Sequence, residues 1–113
     1  TLAKIETRTR KAGGEVVGLL GFGSAFVSPA WAALEMAEAV IFDKRKILPV
    51  CVKLEGEYGV KGLFVGVPCI LGKNGIEKVV ELDLTDEEKA AFAKSAAGVA
   101  KTCEEAEGML KTL

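Results

Sequence analysis

The 113 residues predict an α+β fold, with helices packed on an antiparallel three-stranded sheet. Three observations carry that prediction. Apolar residues recur at helical spacing near both ends of the chain, three short runs of alternating polarity lie between residues 47 and 82, and turn residues separate those runs.

The first helix is expected over Leu2 to Leu20. Leu2, Ile5, Val16, Leu19 and Leu20 mark an apolar side, and Lys4, Glu6, Arg8, Arg10, Lys11 and Glu15 fill the rest. Glu6 and Arg10 form an i,i+4 pair in the favourable order. Gly13-Gly14 weakens this helix by about 1 kcal/mol per glycine relative to alanine and leaves room for another backbone. Gly18, Gly21 and Gly23 mark where it should stop. A second helix is expected from Pro29, with Ser28 as its N-cap. From Pro29 to Phe42 it is apolar almost all round, interrupted only by Glu35 and Glu38. Such a helix needs cover on several sides. A buried carboxylate also needs a partner, so Glu35 and Glu38 suggest a subunit interface if they are not simply solvated. Asp43 to Lys46 reads as a polar turn.

Three strands follow. Ile47 to Leu54 places Leu48, Val50, Val52 and Leu54 on one face, and its Pro49 points to a sheet edge or a bulge. Glu55 to Gly59 is a turn. Leu63 to Leu71 is the second strand, made irregular by Gly66 and Pro68. Asn74-Gly75 between apolar runs signals a hairpin. The third strand, Ile76 to Leu82, should place Ile76, Lys78, Val80 and Leu82 on one face. The last helix starts at a capping box, with Thr85 as N-cap and Glu88 three residues on. Phe92, Ala96, Val99, Cys103, Ala106 and Leu110 then form a narrow apolar seam.

Composition excludes several functions. The 15 basic and 16 acidic residues give a net charge of -1, without the basic stripe of a nucleic-acid binder or the polybasic segment of a membrane-surface protein. No run approaches the roughly 20 apolar residues of a membrane span. The sequence has no histidine, which removes the commonest general base near neutral pH and the commonest metal ligand. Cys51, Cys69 and Cys103 make no C-x-x-C pair, so no metal site is expected. An odd number of widely spaced cysteines fits a reducing, cytoplasmic compartment, with the three acting as small buried hydrophobes. The chain opens on Thr1, with neither an initiator Met nor a signal-peptide pattern, and is read as part of something longer.

Candidate chemical motifs are incomplete. Gly21-Phe-Gly23-Ser-Ala-Phe26 begins like a dinucleotide fingerprint, but its sixth position is Phe and it follows a helix instead of a strand. Gly66 to Lys73 imitates a P-loop with a spacer one residue too long, and Asn74 stands where magnesium needs a hydroxyl. Glu55 and Glu57 could pair as catalytic carboxylates, although turn carboxylates are usually just solvated. Ser24, Ser28 and Cys51 have no histidine to activate them. No catalytic residue is assigned within the chain.

Several runs in fixed order nevertheless resemble one family. They are Arg8 to Val17, Gly23-Ser-Ala-Phe-Val-Ser-Pro-Ala30, Lys46 to Val50, Leu54-Glu-Gly-Glu-Tyr-Gly59, Gly66 to Ile76 and Leu84 to Lys89. Together they resemble the NAD-dependent malate dehydrogenases of the lactate-dehydrogenase-like type, over nearly the whole chain. The resemblance implies part of the C-terminal substrate domain of the lactate/malate dehydrogenase fold, incomplete without upstream sequence. That upstream sequence would carry the Rossmann NAD-binding domain, the substrate-reading arginines and the catalytic Asp–His pair. The implied reaction interconverts malate and oxaloacetate by hydride transfer with NAD. Carried over by position, Ser24, Ala25 and Pro29 would line the substrate and nicotinamide pocket, small enough to leave room for the ligand. The first two helices resemble elements at the family's subunit interface, which implies a homodimer or homotetramer. Lactate dehydrogenases share Gly66 to Gly72 but usually carry a Tyr-Thr-Ser-Trp-like run at Ser24 to Val27, so the resemblance favours malate. A non-catalytic oligomerisation module that keeps the same fold is the reading from a different class.

Overall fold

A computed structural model describes residues 1–111. The elements run α1 (Leu2–Leu20), α2 (Val27–Ile41), β1 (Lys46–Glu55), a 3-10 turn (Glu57–Gly59), β2 (Lys61–Gly72), β3 (Gly75–Val79) and α3 (Asp86–Leu110). The chain divides into two compact units, residues 1–38 and residues 39–111 as far as described.

In the first unit, α1 has the bounds its periodicity predicts. It ends where Gly21 takes a left-handed φ of 74° and donates its N–H to the Val17 carbonyl. The expected Glu6–Arg10 pair forms at 2.7 Å. Arg8 reaches two turns along the helix and grips Glu15 with a two-pronged fork at 2.8 and 3.0 Å. That hydrogen bond and the opposite charge raise the Arg8 pKa and lower that of Glu15. Both side chains are solvated, so the pair adds little stability. No residue of α1 is buried, and a Cβ added at Gly13 or Gly14 would meet nothing within 4 Å.

The start of α2 differs from expectation. The helix begins at Val27, two residues before Pro29, and its first turn is closed by the Ala30 N–H on the Phe26 carbonyl at 3.1 Å. Pro29 therefore sits at the third helical position. That is still compatible with helix, because the first four N–H groups have no intrahelical acceptor and a missing one costs nothing there. Ser28 lies inside the helix and is not its cap.

The second unit is built on the sheet, in the order β1-β2-β3, antiparallel throughout. Leu48 pairs with Cys69, Val50 with Val67 and Val52 with Val65. Leu48, Val50, Leu54, Val65, Val67, Cys69 and Leu71 are buried on this shared face, as the alternation in β1 predicts. On the other face Ile47 and Phe64 are exposed. Pro49 stands opposite Pro68. The Pro68 carbonyl accepts from Val80 N–H at 2.8 Å, on the β3 side. A residue's N–H and C=O leave a strand on the same side, so both prolines occupy a non-hydrogen-bonded rung between β1 and β2. Pro49's missing donor therefore breaks no bond to β2, whereas the nitrogen of Pro68 faces the β3 side, where the Val80 carbonyl accepts from the Tyr58 hydroxyl instead.

The β2–β3 hairpin forms at Lys73-Asn74, with Gly75 at φ 88° and a register shift after Ile70. Leu71 pairs with Ile76 and Ile70 with Lys78, so the extra residue of the bulge is Glu77 in β3. β3 stops at Val79, so the expected face running through Val80 and Leu82 does not exist, and Leu82 is exposed. The strand stops because the segment after it is held by other bonds: the Tyr58 hydroxyl donates to the Val80 carbonyl and accepts from the Leu82 N–H.

α3 starts at the predicted capping box. Glu88 N–H donates to Thr85 Oγ1 at 3.3 Å, and Thr85 N–H donates to Glu88 Oε2 at 2.8 Å. The helix packs on β2 through Ala96, which is buried, with Phe92 and Val99 half-buried. From Lys101 to Leu110 every residue is exposed, so only the first half of the seam is covered. This also corrects the cysteine expectation. Cys69 is buried, but Cys51 and Cys103 are exposed. Cys51 has the odd parity that faces away from the core in β1, and Cys103 lies beyond the covered half of α3.

Candidate functional site

Of the residues singled out in the sequence, Ser24 and Ala25 lie in the loop from α1 into α2, and Pro29 lies in the first turn of α2. Two glycines make that loop possible. Gly21 and Gly23 both hold left-handed φ values, 74° and 75°, where an L side chain is strained. At Gly23 there is a second demand. A Cβ there would sit 2.8 Å from the Phe26 ring, which lies directly over it. Phe26 N–H donates to the Ser24 carbonyl at 2.9 Å, tightening the chain just before the helix.

The three residues differ in exposure. Ala25 is buried, at 8% exposure, whereas Ser24 and Pro29 face outward. Ser24 thus offers a hydroxyl at the surface of the loop and Pro29 a rigid ring at the first turn of α2. Gly23 and Phe26 are part of the arrangement that the pocket expectation left out. The sequence signal for Gly23 was its spacing from Gly21, which marks the end of α1 and a loop into the next helix but not the ring that seats on it.

The other candidates have structural uses. Glu57 Oε2 accepts the Glu55 N–H at 2.7 Å, and Lys53 pairs with Glu55 at 3.1 Å. The Glu57 carboxyl is held below its usual pKa, first by its own backbone N–H and then by that of Glu55. Glu35 and Glu38 are partly buried, and each is engaged by a neighbouring group. Gly66 lies inside β2 and Lys73 in the hairpin, where its N–H donates to Asp43 Oδ1 at 3.0 Å, so the P-loop likeness has no phosphate cradle. Burial raises the Cys69 thiol pKa and keeps it protonated. Among the described residues, no three Cys, Asp or Glu side chains cluster to hold a metal ion, and no helix is long and apolar enough to cross a membrane.

The family model of the lactate/malate dehydrogenase alpha/beta C-terminal domain matches residues 1–109. The chain belongs to the lactate/malate dehydrogenase family. Within it, the chain is 64% identical to a malate dehydrogenase of Halalkalibacterium halodurans over 91 residues, 80% of this chain and 29% of that protein. It is 61% identical to one from Geobacillus sp. (strain WCH70) over 98 residues, 87% of this chain and 31% of that protein. The chain therefore spans under a third of the length of these curated relatives. Among solved structures, malate dehydrogenase from Salinibacter ruber superposes with a TM-score of 0.92 at 42% identity, covering 97% of this chain and 36% of that one. A lactate dehydrogenase from Cryptosporidium parvum gives 0.85 at 42% identity, over 88% of this chain and 33% of that one. The α+β architecture read from the sequence is that of this family's C-terminal domain.

Proposed function

We propose that this chain serves as the C-terminal portion of an NAD-dependent malate dehydrogenase, a cytoplasmic oxidoreductase interconverting malate and oxaloacetate. The observation that carries the reading is the 64% identity to a malate dehydrogenase. Among the described residues, Gly21 and Gly23 leave a helix and the sheet is antiparallel, so the strand–glycine–helix cradle of a dinucleotide is not built here. NAD is accordingly assigned mainly to sequence outside these residues, where it would supply the hydride step. The proton relay belongs there too, since the chain has no histidine.

The contribution of this segment is shape. Ser24, Ala25 and Pro29 form part of the wall beside substrate and nicotinamide. The Ser24 hydroxyl is available to hydrogen-bond a ligand, and Ala25 keeps the wall thin. The exposed apolar residues of the first two helices, Trp31 and Leu34 among them, belong to the interface of a homodimer or homotetramer. The likeness to a lactate dehydrogenase structure favours pyruvate as the alternative substrate. The same exposed apolar residues favour a non-catalytic association module as the second reading.

Kinetics distinguish these. The full-length polypeptide should turn over oxaloacetate with NADH much faster than pyruvate, and the 113 residues alone should turn over neither. Ala25→Trp in the full-length protein should lower kcat/KM by at least about 100-fold, because a bulky wall displaces the substrate from its reacting geometry. Faster pyruvate turnover would reassign the substrate. Unchanged kinetics in the variant would remove Ala25 from the wall.

A further inference from the structure

The hold of α3 on the sheet is narrow. Of its 25 residues only Ala96 is buried, and the half beyond Ala100 touches solvent throughout. Against that background one residue of the turn between β1 and β2 makes an unusual set of contacts. Tyr58 binds the segment that leads into α3 at three successive residues. Its N–H donates to Glu81 Oε2 at 2.8 Å, its hydroxyl donates to the Val80 carbonyl at 2.7 Å, and the same hydroxyl accepts from Leu82 N–H at 3.0 Å. Its ring lies 5.1 Å from that of Phe92, in the second turn of α3.

The geometry of Tyr58 is costly. It holds a left-handed backbone, φ 53° and ψ 20°, which a side-chain-bearing residue rarely adopts. The clasp is what keeps it there. Packing at the joint is also loose. A cavity of about 240 Å³ lies among Tyr58, Glu81, Leu82, Leu84, Lys89 and Phe92. Its polar rim is already engaged, with Glu81 held by Tyr58 and Lys89 paired to Asp86 at 3.5 Å. The cavity is thus a weakness in packing and not a built ligand site.

We propose that Tyr58 is a latch, and that residues 80–85 with α3 form a unit that swings open locally while the β1–β2 pair stays folded. Segments with little buried surface open at lower free energy than a core sheet, and the bonds that bridge the joint set how often. Here those bonds converge on one residue, and two of them on its hydroxyl. The connector has no ladder of its own past Val80, so releasing Tyr58 frees Leu82 N–H and the Val80 carbonyl together.

Amide hydrogen exchange of the full-length protein, followed by mass spectrometry, tests the latch. Tyr58→Phe keeps the ring and removes only the hydroxyl. It should speed exchange across residues 88–100 about tenfold, the effect of losing one to two net hydrogen bonds, and leave β1 and β2 unchanged. Phe92→Ala serves as a second variant, and it should act on the same peptides. Equal acceleration in the sheet and in α3 would mean they open as one unit, which overturns the proposal. Unaltered α3 exchange in Tyr58→Phe, with faster exchange in Phe92→Ala, would show that ring packing alone holds the helix, and would also overturn it.

Discussion

Gly23 and Gly21 share a left-handed backbone but not a neighbourhood. A methyl group at Gly21 meets open space, whereas one at Gly23 runs into the Phe26 ring. Replacing either by alanine should cost about 1 kcal/mol through backbone strain alone. Only Gly23→Ala should also move Phe26, and with it the Ser24–Pro29 loop. Thermal unfolding should therefore report similar losses for the two variants of the full-length protein. Substrate kinetics should separate them, with kcat/KM for oxaloacetate falling about tenfold in Gly23→Ala and hardly at all in Gly21→Ala. Equal kinetic losses would mean that the ring contact is irrelevant to the loop.

Elements differ in how clearly the sequence announced them. α1, the capping box and the buried face of β1 were legible because each rests on local rules of period and hydrogen bonding. The start of α2 was misplaced because Pro29 is tolerated over several early positions and not only the first. The end of β3 was misplaced because a distant tyrosine captures the backbone there, and nothing within residues 76–82 encodes that. At the candidate site, the identity of Ser24, Ala25 and Pro29 came from resemblance, while the Phe26 ring over Gly23 has no local signature at all. The capping box also makes a prediction about acid. Backbone and side-chain hydrogen bonds from Thr85 lower the Glu88 pKa. A lowered folded-state pKa adds stability above the unfolded value, ordinarily about 4.3, and that stability disappears as the pH falls through the folded value. Glu88→Ala should therefore lower the melting temperature at pH 7 and converge with the parent protein near pH 3. A gap that stays constant across that range would show that the carboxylate charge is not involved.

At the scale of the whole molecule, apolar exposure dominates. α1 buries nothing, Trp31 is 70% exposed and Leu34 50%. Scattered exposed apolar side chains are ordinary, but a 19-residue helix without a buried residue is not. If these surfaces belong against the rest of a dehydrogenase, the 113 residues produced alone should associate or bind a hydrophobic dye. Light scattering coupled to gel filtration would show this, and a clean, dye-silent monomer would count against the dehydrogenase reading of the first two helices.

The facing prolines of β1 and β2 bear on that exposure. Pro49 sits mid-way along an edge strand with its donorless nitrogen directed outward, and Lys53 lies two outward positions further along the same edge. An incoming strand would find no amide proton at the centre of its template and a charge near one end. Self-association of the isolated chain is thereby steered toward helix faces, which separate again on dilution, and away from cross-β stacking into fibrils.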